Sequence, residues 1–491
     1  MILKLDSLAV SSRIKENELP LLAVALFLLL ATAYLWSVDI RATRGASITG
    51  DEPFYLLTTQ SLLADGDFDL TNQYESRSYT SFFDHPDGLW FQSVTREDGS
   101  LLSPHNPGLS FLVIPGFALG GLLGVQVQLL LLASTTLALA FVLADRLTGH
   151  RLTSWVVTLG VGLTATAFIY STEIYPEFPA ALALMVALLL VTRRTRLGVS
   201  DGLWLAATLT VMCWLGIKYA PLALIVSTYF LLKTDRTGRI ALVSAGTVSA
   251  VIFAGIHLYL FGGLTPYGNN AVYAQWNTVE ILAGHIEFGE RYYRVWGIFI
   301  DRQFGVGRWA PLLLAAVPGL ALLAVGKGAM KLVLALALAQ LLMATFVAIT
   351  MMGWWFAGRT MLTVLPLFAV PITLVAARSP LWGRVGVALL GCYSLAITVG
   401  LASAAHAGEV TIAVDPFDMA FPPFQGLAGL FPLYTLWTTE TWWLTFFWLT
   451  LALLATGSMV WKDISSRVAR VNLREWRRPR RALNFRGNTI T

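Results

Sequence analysis

Cysteine is nearly absent: Cys213 and Cys392 are the only two in 491 residues, and both lie inside apolar runs. A stabilising extracellular disulfide framework is therefore not expected. Histidine is scarce as well, and His85, His105 and His285 have no zinc spacing and no cysteine beside them. Charge is the larger deficit. Charged residues make up 13% of the chain, whereas a soluble chain carries about a quarter. With 56% hydrophobic residues, that excludes a soluble globular enzyme and a disordered chain.

What is present instead is a series of apolar runs of about 20 residues between Pro20 and Trp461, the pattern of membrane-spanning helices. The first, Pro20 to Val38, is long and lacks a small-residue cleavage site, so it reads as a span rather than a signal peptide. Twelve spans are expected, at 19–38, 124–145, 153–172, 177–192, 201–217, 219–232, 240–261, 309–326, 331–350, 360–377, 384–402 and 441–461. The predicted fold is an all-α polytopic membrane protein. Its membrane domain occupies 1–461, and a basic cytoplasmic tail occupies 462–491.

The charges then sort by side. With a cytoplasmic N-terminus, 24 of the 34 basic residues fall inside, nine of them after Trp461. Positive-inside bias thus places both termini in the cytoplasm. The tail reads as a polybasic segment on anionic lipid, not as a nucleic-acid contact. Of the 29 acidic residues only eight fall inside, and eleven lie in one outer segment, 39–108. Loops of that length in a helix bundle usually serve a function. Further outer loops span 262–308 and 403–440, so every long loop faces one side. Between 109 and 122 a short apolar stretch, too short to span, reads as a juxtamembrane helix.

Gly50-Asp51-Glu52-Pro53 begins the first outer loop's main helix, expected to run to about Ala64 with Asp51 at the cap. Acids there complement the helix dipole without any catalytic purpose. Their position at the outer end of the first span adds a second reading. Another acidic cluster, Glu173 to Glu177, follows another outward span, and carboxylates near a partly desolvated surface suit a general base acting on a hydroxyl.

Four spaced motifs carry a resemblance. They are Asp51-Glu52-Pro53 followed by an aromatic, His105-Asn106-Pro107-Gly108-Leu109, Ala144-Asp145-Arg146-Leu147, and Trp214-Leu215-Gly216-Ile217-Lys218-Tyr219-Ala220-Pro221. In order and topology, residues 20–235 resemble the GT-C superfamily of integral membrane glycosyltransferases. The branch most alike holds the protein O-mannosyltransferases and the lipid A aminoarabinose transferase. There are departures. His105 stands where that branch often has lysine, Asn106-Pro107 replaces a double proline, and glutamate replaces a common aspartate at Glu173 or Glu177.

The resemblance implies a polyprenyl-phosphate-linked sugar donor and a hydroxyl of a lipid-linked or cell-envelope acceptor, reacting with inversion on the outer face. It implies Asp51 as general base and Glu52 as a group orienting acceptor or metal, with Glu173 or Glu177 as a further acid. The leaving group is a phosphate, so the transition state needs positive charge around departing oxygens rather than an acid. Lys218, Arg302, Arg308, Arg359 and His105 are the candidate phosphate contacts. For Lys218 the other reading is snorkelling, and for the arginines it is interface anchoring beside tryptophans. No cofactor is required. Asp65-Gly66-Asp67-Phe68-Asp69 begins like a calcium loop but has Leu70 and Ser76 where Gly and Glu belong, which leaves a divalent-cation site open and a capped turn as the simpler reading. No soluble domain is seen after the last run, so acceptor recognition is expected from the loops. The reading from another class is a transporter or lipid-linked-sugar flippase, which calls for mid-membrane charges or repeated helix breaks.

Overall fold

A computed structural model describes residues 2–193, 195–273, 278–348, 351, 353 and 355–476, with side chains beyond 465, before 18 and at 278 and 282 excluded. The 477–491 part of the expected basic tail lies outside the described residues. Helix covers 72% of the chain and no strand forms among the described residues, so the fold class is all-α. Among the described residues six helices are long and apolar enough to cross a membrane: Glu18–Ser37, Ile114–Thr148, Arg236–Asn269, Ala329–Phe346, Leu381–His406 and Thr439–Ser465. The chain is a multi-pass membrane protein.

The expected count of twelve spans is not reproduced. The stretch 153–172 divides into Arg151–Gly162 and Ala165–Tyr170. The break is at Thr164, whose extended backbone (ψ 149) separates the two helices. The stretch 360–377 holds two 3-10 turns ahead of a ten-residue helix, Ala369–Arg378. Pro366 and Pro371 lie in that stretch, and each removes a backbone donor. Glu177–Val191, Val199–Leu215, Pro311–Ala324 and Leu365–Arg378 are apolar but shorter than a full crossing.

Between 108 and 124 the chain doubles back. Gly108–Leu112 forms a short helix, and the Ile114–Thr148 helix is broken at Gly120 and Gly121, the latter with φ +56°. The side chain of Gln128 ties the two arms together, accepting from Gly116 N at 2.9 Å and donating to the Leu112 carbonyl at 2.7 Å. Gly108 is required for a different reason. A Cβ there would sit 2.3 Å from the Trp214 carbonyl oxygen, so only glycine lets this turn lie against the Val199–Leu215 helix.

The three long loops, 39–108, 262–308 and 403–440, pack on one another. Ala271 N donates to the Gln92 carbonyl and Val94 N to the Asn269 carbonyl, joining the first loop to the second. Ile412 N and Ala413 N donate to the carbonyls of Arg41 and Ala42, joining the first to the third. Arg44 adds an ion pair to Asp415 at 2.8 Å. In the third loop the Pro422–Leu427 helix places Phe424 against Trp309, ring centres 4.2 Å apart. This cap of loops is what brings distant polar residues together at one end of the helices.

Candidate functional site

The helix Glu52–Ala64 starts with Pro53 in its first turn and Asp51 at its cap position, as the sequence suggests. The Asp51 side chain makes no capping hydrogen bond, however. Glu52 does the local work: its Oε2 accepts Thr49 N and its Oε1 accepts Ile174 N, both at 2.9 Å. Both Glu52 oxygens thus hold backbone, stapling the first loop to the segment after Tyr170. Asp51 thus sits at the helix start without capping it by a side-chain hydrogen bond.

Asp51 instead faces Arg359, with Oδ2 2.8 Å from Nη2. The same guanidinium reaches Glu177 through Nε at 3.3 Å. Lys218 Nζ lies on that same Glu177 oxygen at 2.8 Å. Four charges from four separate segments, two of each sign, form one chain: Asp51, Arg359, Glu177, Lys218. Glu177 and Arg359 are largely buried, whereas Asp51 and Lys218 keep about a quarter and two-fifths of their side-chain surface open. The open end of the network is therefore Asp51 and Lys218.

Arg359 is held in place from below. Gly358 has φ +90°, and a Cβ there would come within 2.8 Å of Thr166 and Val306, so the turn that aims Arg359 needs glycine. Tyr170 Oη donates to the Phe356 carbonyl and Thr166 Oγ1 to the Ala357 carbonyl, fixing the two residues before that turn. The guanidinium also stacks on Tyr175, 3.7 Å from the ring centre, an arrangement that favours a desolvated cation.

His105 completes the Asp51 side of the site. Its Nε2 is 3.9 Å from Asp51 Oδ1 and 2.7 Å from Gln92 Oε1. Its ring lies against Tyr55, centres 4.9 Å apart. Burial, with Arg359 and Lys218 nearby, holds the imidazole below its usual range despite Asp51. Burial also works to raise the Asp51 carboxyl, but Arg359 and His105 outweigh it and hold Asp51 well below the usual carboxylate range. Glu52 goes the other way: burial pushes it up to about 7 in spite of its two backbone donors. Glu173 is raised too, by burial and then by Glu52, and its Oε2 has no partner. The two acids share the wall of a cavity of about 10 Å³, room for at most about one water.

Not every candidate gathers here. Arg302 pairs with Glu440 at 2.8 Å and donates to the Phe431 carbonyl. Arg308 is buried over the Phe424 ring, 3.8 Å from its centre, and donates to the Arg302 carbonyl. Both arginines fasten the third loop, and neither has a recorded contact with the Asp51–Lys218 chain. Asp65, Asp67 and Asp69 accept from Asn72, Ser61 and Thr71, which is how capped turns are built. Among the described residues no group of three or more His, Cys, Asp or Glu is arranged to hold a metal.

Gln92, Tyr55 and Tyr175 are site residues that the sequence does not single out. Each lies in an ordinary polar or aromatic stretch, and only the contact between loops gives it a role.

No family model and no curated protein match this chain. Two solved structures are similar to it, both of ArnT from Cupriavidus metallidurans. The apo form gives a TM-score of 0.45 at 15% identity, covering 88% of this chain and 76% of that one. The form bound to undecaprenyl phosphate gives 0.49 at 13% identity, covering 90% and 78%. Both TM-scores lie below 0.5, so the chemistry below stands on the side-chain geometry.

Proposed function

We propose that the chain is a membrane glycosyltransferase that moves a sugar from a polyprenyl-phosphate donor to a hydroxyl of a lipid-linked or cell-envelope acceptor. The reaction takes place at the outer face, with both chain termini on the cytoplasmic side, as the bias of basic residues indicates. The observation that carries the reading is the chain of Asp51, Arg359, Glu177 and Lys218. Without donor, two carboxylates satisfy two cations. A phosphate arriving at the open end competes for both cations.

The acceptor oxygen attacks the anomeric carbon as the carbon–oxygen bond to phosphate breaks. The bonding electrons leave with the phosphate oxygen, whose growing charge Arg359 and Lys218 neutralise. Asp51 takes the acceptor proton. In the empty site Asp51 is a weak base because Arg359 holds it. Once the guanidinium turns to the phosphate, Asp51 loses its strongest partner and its basicity rises toward that of an ordinary carboxylate. Donor binding thus frees the base. Glu177 positions both cations, and Glu52 positions the backbone around the site; Glu173 supports it from beneath.

The test uses full-length protein reconstituted with a panel of polyprenyl-phosphate-linked sugars and an envelope-lipid extract as acceptor. Transfer is expected with at least one donor, and Asp51→Asn should lower it by about 10²–10⁴-fold, the usual worth of a positioned base. Undiminished transfer by that variant removes Asp51 as base. Movement of lipid-linked sugar across liposomes without transfer, indifferent to Asp51→Asn, favours the flippase reading.

A further inference from the structure

At the opposite ends of the same helices lies a second site. The Glu177–Val191 helix carries Glu177 at its first residue, and fifteen residues at 1.5 Å each put its other end about 22 Å away. There a cavity of about 780 Å³ opens, walled among others by Leu19, Val142, Arg146, Arg151 and Arg193. Pockets that take small molecules commonly fall in this size range.

Its wall is amphiphilic and built. Arg151 is held between two carboxylates, Glu18 and Asp145, each at 3.4 Å. Arg193 pairs with Asp201 at 3.1 Å on the helix that follows. Arg146 donates to the Leu189 carbonyl and to Thr192 Oγ1, which orients its guanidinium from the end of the neighbouring helix. Three guanidiniums, Arg146, Arg151 and Arg193, thus share the wall with Glu18 and Asp145, while Asp201 pairs with Arg193 and apolar Leu19 and Val142 stand beside them. The helix Arg151–Gly162 also begins here without a side-chain cap on its first amides, and uncapped amides add to the attraction for an anion.

We propose that this cavity binds the phosphodiester headgroup of an anionic phospholipid, with the arginines on the phosphate and Leu19 and Val142 against the upper acyl chain. A polar anion alone has no use for the apolar wall, and a neutral lipid none for the guanidiniums.

Full-length protein in phosphatidylcholine nanodiscs, with and without phosphatidylglycerol, provides the test, read by lipid retention in native mass spectrometry and by the thermal midpoint. Phosphatidylglycerol is expected to be retained and to raise the midpoint. The pair Arg146→Gln with Arg193→Gln should weaken retention about tenfold or more, and Arg146→Lys with Arg193 intact should keep part of it. Equal retention of phosphatidylglycerol by the double variant assigns the lipid to other basic surface and overturns the site. Equal stabilisation by inorganic phosphate in pure phosphatidylcholine discs makes the ligand a soluble anion and overturns the lipid assignment.

Discussion

Glu52 offers a test that needs no substrate. Its carboxyl is 2% exposed and is pushed up to about 7 from 4.5. A group that binds its proton more tightly in the folded chain favours folding while it stays protonated. That advantage is complete below about 4.5 and is lost as pH rises through about 7. The difference corresponds to about 3 kcal/mol between the ends of the window. Unfolding a chain of 491 residues releases roughly 1 kcal/mol per kelvin at the midpoint, so the loss amounts to about 3 °C. The assay is intrinsic fluorescence of the 17 tryptophans during heating in a non-ionic detergent, between pH 5 and 8. The wild-type midpoint should fall across this window. Glu52→Gln, which has no proton to lose, should show a flatter curve. Its midpoint should be lower at pH 5, because an amide nitrogen replaces one acceptor of the Thr49 and Ile174 amides. Parallel pH curves for the two proteins would refute the assignment of a raised Glu52.

The site makes further demands. Arg359→Gln should weaken polyprenyl-phosphate binding by tenfold or more, measured by titration in detergent, since a charge-assisted bond is worth about 1.5–3 kcal/mol. Asp51→Asn should bind polyprenyl phosphate at least as tightly as wild type while failing in transfer, because it removes the carboxylate that competes for Arg359; weaker binding would contradict that competition. Gly358→Ala forces φ +90° on a residue with a Cβ and pushes against Thr166 and Val306. It should lower stability by about 1–3 kcal/mol and reduce donor affinity through Arg359, read by thermal midpoint and by the same titration.

Much of the site is written locally. Asp51-Glu52-Pro53 at the end of the first span, Glu177 after an outward turn and Lys218 between two apolar helices are each visible because a charge interrupts an apolar context. The role within each motif is less visible. Adjacent Asp51 and Glu52 differ by a hundred degrees around the helix start, so one meets Arg359 and the other the backbone of Thr49 and Ile174. Arg359 looks no different in sequence from Arg308, which also stands beside glycine and tryptophan before an apolar run, or from Arg302 six residues earlier. What separates them is the partner: Asp51, across 308 positions, for Arg359, and groups of the third loop for the other two. Composition is legible for the spans too, but continuity is not. The breaks at Gly120-Gly121 and Leu163-Thr164 fall inside apolar stretches, where hydropathy is blind to backbone direction.

Under the proposed function, the balance of charge in the site bears on how the reaction is gated. A lone Arg359 and Lys218 under the loops would attract any phosphate, and a lone Asp51 would repel it. Joined as they are, the four charges cancel, so the site has little net pull on inorganic phosphate or on other lipids. A donor gains entry by replacing carboxylate oxygens on two cations at once, which a ligand presenting several phosphate oxygens from the membrane plane does better than a solvated ion. The exchange that admits the donor is the same one that restores basicity to Asp51. Selection and activation then depend on one event at Arg359, whose position is secured by Gly358, by the Tyr170 and Thr166 hydroxyls on the preceding carbonyls, and by the face of Tyr175.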